Sequence, residues 1–126
     1  MNLVEYFENS KGLGILATAD ASGKVDAAVY ARPHVMDEKT VAFIMANRLT
    51  HANLQANPSA AYLFKETGEQ YSGLRLYLTK NREEENQELV DEICRRCDYS
   101  LYTGNLSRFV VFFNVDSVLP LIGSGQ

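Results

Sequence analysis

The chain has 126 residues, 46% hydrophobic and 22% charged, with a formal net charge of -4 at pH 7. One domain over residues 1–126 is expected from that length, which can bury about two thirds of the surface its unfolded form exposes and needs no disulfide staple. The negative balance works against nonspecific nucleic-acid binding, which neutralises phosphates with Lys and Arg. No apolar run approaches the roughly 20 residues that cross a bilayer, so no membrane partner is expected. The opening Met1-Asn2-Leu3-Val4-Glu5-Tyr6 lacks a basic region followed by an apolar core, and a cytoplasmic protein is the expectation.

Asn2 to Ser10 reads as a helix with Leu3, Val4 and Phe7 on one side, ended by Lys11-Gly12. Leu13 to Ala19 is a strand apolar on both faces, and Asp20-Ala21-Ser22-Gly23 is a turn. Val25, Ala27, Val29 and Ala31 continue one face of a second strand, with Asp26, Ala28, Tyr30 and Arg32 on the other. So short a connection makes the two strands an antiparallel hairpin. Pro33, between Arg32 and His34, interrupts the second strand with a residue that cannot donate to a ladder, exposing the backbone there to a ligand or a partner chain. Asp37 to Thr40 is the following turn.

The stretch from Val41 to Phe64, VAFIMANRLTHANLQANPSAAYLF, concentrates the specialised chemistry. Val41 to Ala46 is an apolar strand, and Asn47-Arg48-Leu49-Thr50-His51 is a polar, partly cationic turn. Ala52 to Asn57 reads as a short helix that Pro58 closes, with Thr50 as its N-cap, and Ser59 to Phe64 returns to strand. A helix start offers N–H groups without internal partners and the positive end of the peptide dipoles. With Arg48, Thr50 and His51 beside it, the turn suits a phosphate.

Lys65 to Ser72 is a polar loop, and Gly73 to Asn81 alternates Leu74, Leu76 and Leu78 against Arg75, Tyr77 and Thr79 as a strand. Arg82-Glu83-Glu84-Glu85 reads as a helix start whose carboxylates complement the dipole, with Leu89, Val90, Ile93 and Cys97 as the apolar stripe. Cys94 and Cys97 form one C-x-x-C. Zinc would need two further ligands, and a redox pair wants its thiolate at a helix start rather than near its end, so the two are read as helix-face residues. Asp98 to Ser107 is a loop carrying Tyr99 and Tyr102, Arg108 to Val115 is an apolar strand, and Val118 to Ile122 continues the sheet. The expected fold is therefore mainly β with flanking helices: six antiparallel strands in hairpin order forming a barrel. Strands apolar on both faces need cover from helices or a second subunit, and a homodimer is the simplest answer.

The order strand, polar turn, Asn53-Leu54, Asn57-Pro58, strand resembles the pyridoxamine 5'-phosphate oxidase-like family of FMN-binding split barrels. The similarity extends over most of the chain, from the opening helix through Leu13 to Thr18 and Ala27 to Pro33 to the last strand. It departs at Leu49-Thr50-His51, where the family often has Lys, leaving Arg48 to supply the positive charge. The resemblance implies a six-stranded split β-barrel, a homodimer with two flavins at the interface, and FMN as cofactor. Its phosphate would sit on Arg48, Thr50 and His51, with Asn47 and Asn53 beside them. The ring would lie on Ile44, Met45 and Ala46 and on Tyr30, Ala31, Arg32, Pro33 and His34.

The implied function is a flavin-dependent oxidoreductase using a small-molecule electron donor or acceptor, with the ring supplying the chemistry and no catalytic side chain required. The alternative is a noncatalytic flavin or electron carrier, and haem or a deazaflavin is a minor option that His34 and His51 sustain. The end, Leu119 to Gln126, lacks the Arg-Leu…Pro signature of the true pyridoxamine 5'-phosphate oxidases.

Overall fold

The computed structural model describes residues 2–85, 88 and 108–123. Its elements are α1 (Leu3–Asn9), β1 (Gly12–Ala19), β2 (Val25–Val29), β3 (His34–Asp37), β4 (Thr40–Ala46), α2 (Leu49–Ala56), β5 (Ser59–Glu66), β6 (Gly73–Glu84) and β7 (Arg108–Pro120). The strands form one seven-stranded sheet in the order β2-β1-β5-β6-β7-β4-β3, antiparallel at every pairing. Among the described residues the end strands β2 and β3 do not pair with each other, so the barrel is open rather than closed.

Side-chain alternation decides which face is inside. Leu16 and Thr18 of β1, Tyr62 and Phe64 of β5, and Leu74, Leu76 and Leu78 of β6 are buried on one face, joined by Phe43 and Met45 of β4 and by Val111 and Phe113 of β7. Aromatic rings knit this core: Phe43 meets Tyr62 at 5.0 Å between centroids and Phe113 at 5.8 Å. Helix α1 adds Leu3 and Phe7, and the Phe7 ring lies edge-on to Phe64 at 5.4 Å. Arg32 holds that helix in place, donating from Nη1 to the carbonyl oxygens of Phe7 and Ser10 at 2.6 Å each. Those are carbonyls at the end of α1, which need partners from outside the helix.

The β1–β2 turn is built as its sequence demands. Asp20 Oδ1 accepts from the Ser22 and Lys24 N–H groups, each at 2.9 Å, and from the Ser22 hydroxyl, while Gly23 takes φ 89°, a conformation that favours glycine. The Ser22 hydroxyl, followed by the backbone N–H groups of Lys24, Ser22 and Gly23, holds the exposed Asp20 carboxyl below its usual range.

Three expectations are corrected. The described residues form seven strands, because the segment predicted as one strand from Val25 to Arg32 ends at Val29 and a separate β3 follows Pro33. Pro33 splits it, and His34 pairs instead with Ala42 of the next strand. Arg82 to Glu84 do not begin a helix: they extend β6, with Glu84 opposite Val110 of β7. Cross-strand contacts outweigh the charge pattern there, since the Arg82 guanidinium lies 3.9 Å from the Phe112 ring centroid and the Glu83 carboxylate is taken up by three neighbours. Finally, α2 starts at Leu49, three residues earlier than read, with Arg48 rather than Thr50 at its N-cap. The predicted stripe Leu89, Val90, Ile93, Cys97, the Cys94 partner, and Tyr99 and Tyr102 lie outside the described residues.

Candidate functional site

Strands β2 and β4 are five places apart in the sheet, yet they line one cavity of about 510 Å³, which requires the sheet to curl until its two sides face each other. The walls come from four places. Strand β2 and the residues just after it contribute Asp26, Ala28, Val29, Tyr30 and Ala31. The end of β4 gives Ile44, Met45 and Ala46, the start of α2 gives Arg48, Leu49 and Thr50, and β7 gives its first residue, Arg108. A volume of this order holds a cofactor-sized molecule.

The local chain explains why those side chains meet. Antiparallel pairing sets Arg108 directly opposite Ala46, so both lie on one face of the sheet. Beyond Ala46 the backbone folds sharply, with the Arg48 N–H donating to the Ala46 carbonyl at 2.9 Å, and helix α2 begins. Its first intrahelical bond runs from the Ala52 N–H to the Arg48 carbonyl. The N–H groups of Leu49, Thr50 and His51 therefore precede any helical partner, and Arg48 supplies no side-chain cap. That donor-rich, positive end of α2 opens on the cavity beside Arg48, Arg108 and the buried Thr50. Among the described residues one carboxylate, Asp26, lines the same space.

The β2 wall is fixed from within. The Tyr62 hydroxyl reaches the carbonyl oxygens of Tyr30 at 3.2 Å and Ala31 at 3.0 Å, the Tyr30 N–H donates to the Gly14 carbonyl at 3.0 Å, and the Tyr30 ring stands edge-on to Phe43 at 5.9 Å. Gly14 is there because nothing larger fits. A Cβ at that position would run into the Tyr62 hydroxyl and lie 2.6 Å from the Tyr30 carbonyl oxygen.

The cavity brings together Tyr30, Ala31, Ile44, Met45, Ala46, Arg48 and Thr50 of the residues singled out in the sequence. Arg32, Pro33, His34, Asn47, His51 and Asn53 are not among its lining residues. Arg32 turns to the end of α1, and His34 lies in the β3–β4 pairing. Asn53 is buried and donates from Nδ2 to the Thr18 hydroxyl at 3.1 Å, tying α2 to β1. His51 is buried with its ring stacked 3.9 Å from Phe109 and its Nε2 2.8 Å from Glu83 Oε2. Asp26, Ala28, Val29, Leu49 and Arg108 line the cavity without being singled out in the sequence. Arg108 is legible as a cation opening an apolar strand, but its position opposite Ala46 depends on pairing between two strands far apart in the sequence.

No protein-family profile and no curated protein matches the sequence. Solved structures do match. An FMN-binding protein from Syntrophomonas wolfei superposes with a TM-score of 0.76 at 19% identity, over 92% of this chain and 81% of that one. A Clostridium acetobutylicum protein related to general stress protein 26, of the pyridoxinephosphate oxidase family, gives 0.69 at 14% identity, over 94% and 86% of the two chains. An F420 reductase gives 0.63 at 18%, over 90% and 94%. The chain shares the split-barrel fold of these proteins, and the resemblance read from the sequence holds at the level of fold.

Proposed function

We propose that this chain, which has the split-barrel fold of those solved structures, binds FMN in the cavity between β2, β4 and the start of α2. The observation that carries the reading is that the uncapped first turn of α2 lines this cavity together with two arginines, Arg48 and Arg108. A phosphate monoester needs N–H donors and cations together, and both are supplied there. A flat ring needs an apolar wall with a few backbone groups, which Ile44, Ala46, Ala28 and Tyr30 to Ala31 offer. When bound, the flavin would supply hydride or electron transfer. The chain's own residues hold and orient it, and no side chain of the cavity is assigned a proton-transfer role. On this reading the protein is a flavin-dependent oxidoreductase acting on a small-molecule electron donor or acceptor, with a noncatalytic flavin carrier as the alternative.

A second reading, a deazaflavin in the same cavity, is favoured by the F420 reductase among the structural matches. Reconstitution separates the two. The purified protein mixed with FMN should quench flavin fluorescence at one equivalent per chain, and NADH or NADPH should then bleach the bound flavin with turnover of an acceptor. Binding without turnover marks a carrier rather than an enzyme. Failure to bind FMN while binding F420 transfers the site to the deazaflavin.

The outer face of the sheet supports a homodimer. Register sets Val29, Ile15 and Leu63 in one row and Ala27, Ala17, Ala61 and Tyr77 in the next, and Val25 and Val29 are 77% and 71% exposed. A second copy of this chain is the occupant proposed for that apolar face.

A further inference from the structure

Next to the first turns of α2, one carboxylate gathers three donors from two elements. Glu83 Oε2 is 2.8 Å from His51 Nε2, its Oε1 accepts from Gln55 Nε2 at 2.7 Å, and Lys80 Nζ donates to the same Oε1. His51 and Gln55 belong to α2, and Lys80 and Glu83 to the part of β6 that runs past β5 and pairs with β7 alone. A second bond joins the same regions, from the Lys80 N–H to the Pro58 carbonyl at 2.8 Å.

The hydrogen positions follow from the chemistry of the acceptor. An ionised carboxylate only accepts, so His51 Nε2 must carry its proton, in the neutral ring as well as in the imidazolium. Gln55 Nε2 lies 3.2 Å from that same nitrogen. It cannot donate there and gives its proton to Glu83 instead. With the ring face closed by Phe109, His51 has one orientation, and Thr50, its chain neighbour on the first turn of α2, is held toward the cavity.

We propose that Glu83 is a positioning residue for the phosphate-binding end of the cofactor site, acting through His51 and Gln55 to fix the first turn of α2. It touches no cofactor, and the proposal rests on the phosphate reading above. Supporting hydrogen bonds of this kind set how well the groups in contact with a ligand are aimed.

The test is the ratio of affinities for FMN and riboflavin, which differ only in the phosphate. E83Q removes the charge and offers an amide where three donors converge. Its FMN dissociation constant should rise roughly tenfold, the loss expected when a charge-assisted support is removed, with that for riboflavin essentially unchanged. A general loosening of the fold would weaken both ligands alike, and that outcome overturns the proposal. Should E83Q not fold, Q55A carries the test, since Gln55 is exposed. A smaller loss confined to FMN supports the role, and a wild-type ratio overturns it. A wild-type protein that binds the two ligands equally removes the phosphate reading itself. A wild-type preference for FMN that E83Q leaves intact removes only Glu83.

Discussion

Arg48 and Thr50 stand on the same turn but with different duties. Arg48 is exposed at the N-cap of α2 and Thr50 is buried one residue into the helix, so each can be changed without removing a side-chain cap. Arg48→Ala should weaken FMN binding by about 1–3 kcal/mol if it makes a charge-assisted bond to phosphate. Thr50→Val should cost about 1 kcal/mol of affinity with the folded fraction unchanged. Titration of flavin fluorescence measures both, and an unchanged dissociation constant takes that residue out of the site.

Glu83 carries its own pH signature. Burial pushes its carboxyl up, but the hydrogen bonds from Lys80, His51 and Gln55 outweigh that and bring it from 4.5 down to about 2. A carboxyl depressed by folding contributes stability that is complete above 4.5 and lost as the pH falls toward 2. In urea titrations the wild-type midpoint should therefore drop across that window more steeply than that of E83Q, and parallel curves would show that the cluster contributes nothing to acid stability.

Among the elements, the β2 wall depends on one absent side chain. Gly14→Ala forces the Tyr62 hydroxyl away from the Tyr30 and Ala31 carbonyls. It should lower stability by about 1–3 kcal/mol and reduce FMN and riboflavin affinity together, the opposite of the FMN-selective pattern expected at Glu83. Arg32→Ala removes the donor shared by two carbonyls of α1 and should cost about 1–2 kcal/mol by thermal unfolding while sparing flavin affinity.

The same elements show what the sequence could disclose. Period-two alternation in Leu13 to Ala19 and Leu74 to Leu78 and the turn chemistry of Asp20 to Gly23 are local signals, and the corresponding strands and turn are present. The start of α2 was misjudged because Thr50 has the chemistry of a cap, whereas the sharp turn closed by the Ala46 carbonyl starts the helix earlier. Arg82 to Glu84 were misjudged because their charges fit a helix start, and only the distant β7 keeps them extended. In the cavity, the contributions of β4 and α2 were legible as one contiguous stretch. Arg108 and Asp26 were not, because they arrive from strands brought near by curling of the whole sheet.

For the whole molecule, a single hydrophobic face cannot absorb every apolar side chain of these strands. The inner face is filled by the core, and Val25, Val29, Leu13 and Leu63 remain on the other side at 77%, 71%, 52% and 38% exposure. Self-association should cover them. Sedimentation equilibrium should give twice the mass of the 14.1 kDa chain, and Val29→Asp combined with Leu63→Asp should return a monomer. A wild-type monomer at high concentration would refute the homodimer.

Among the described residues, the open barrel also leaves two borders where further chains could add by backbone pairing, a standing invitation to fibril growth. Both borders are poor templates. The one at β3 is four residues long and breaks register between Val35 and Asp37, and Pro33 stands at its head without an N–H to offer. The one at β2 spans five residues and ends where Tyr62 captures the carbonyls that follow. The groups that shape the cavity wall thus also shield the sheet from runaway stacking, so loosening the Tyr62 anchor should promote thioflavin-positive aggregates as well as weaken the pocket.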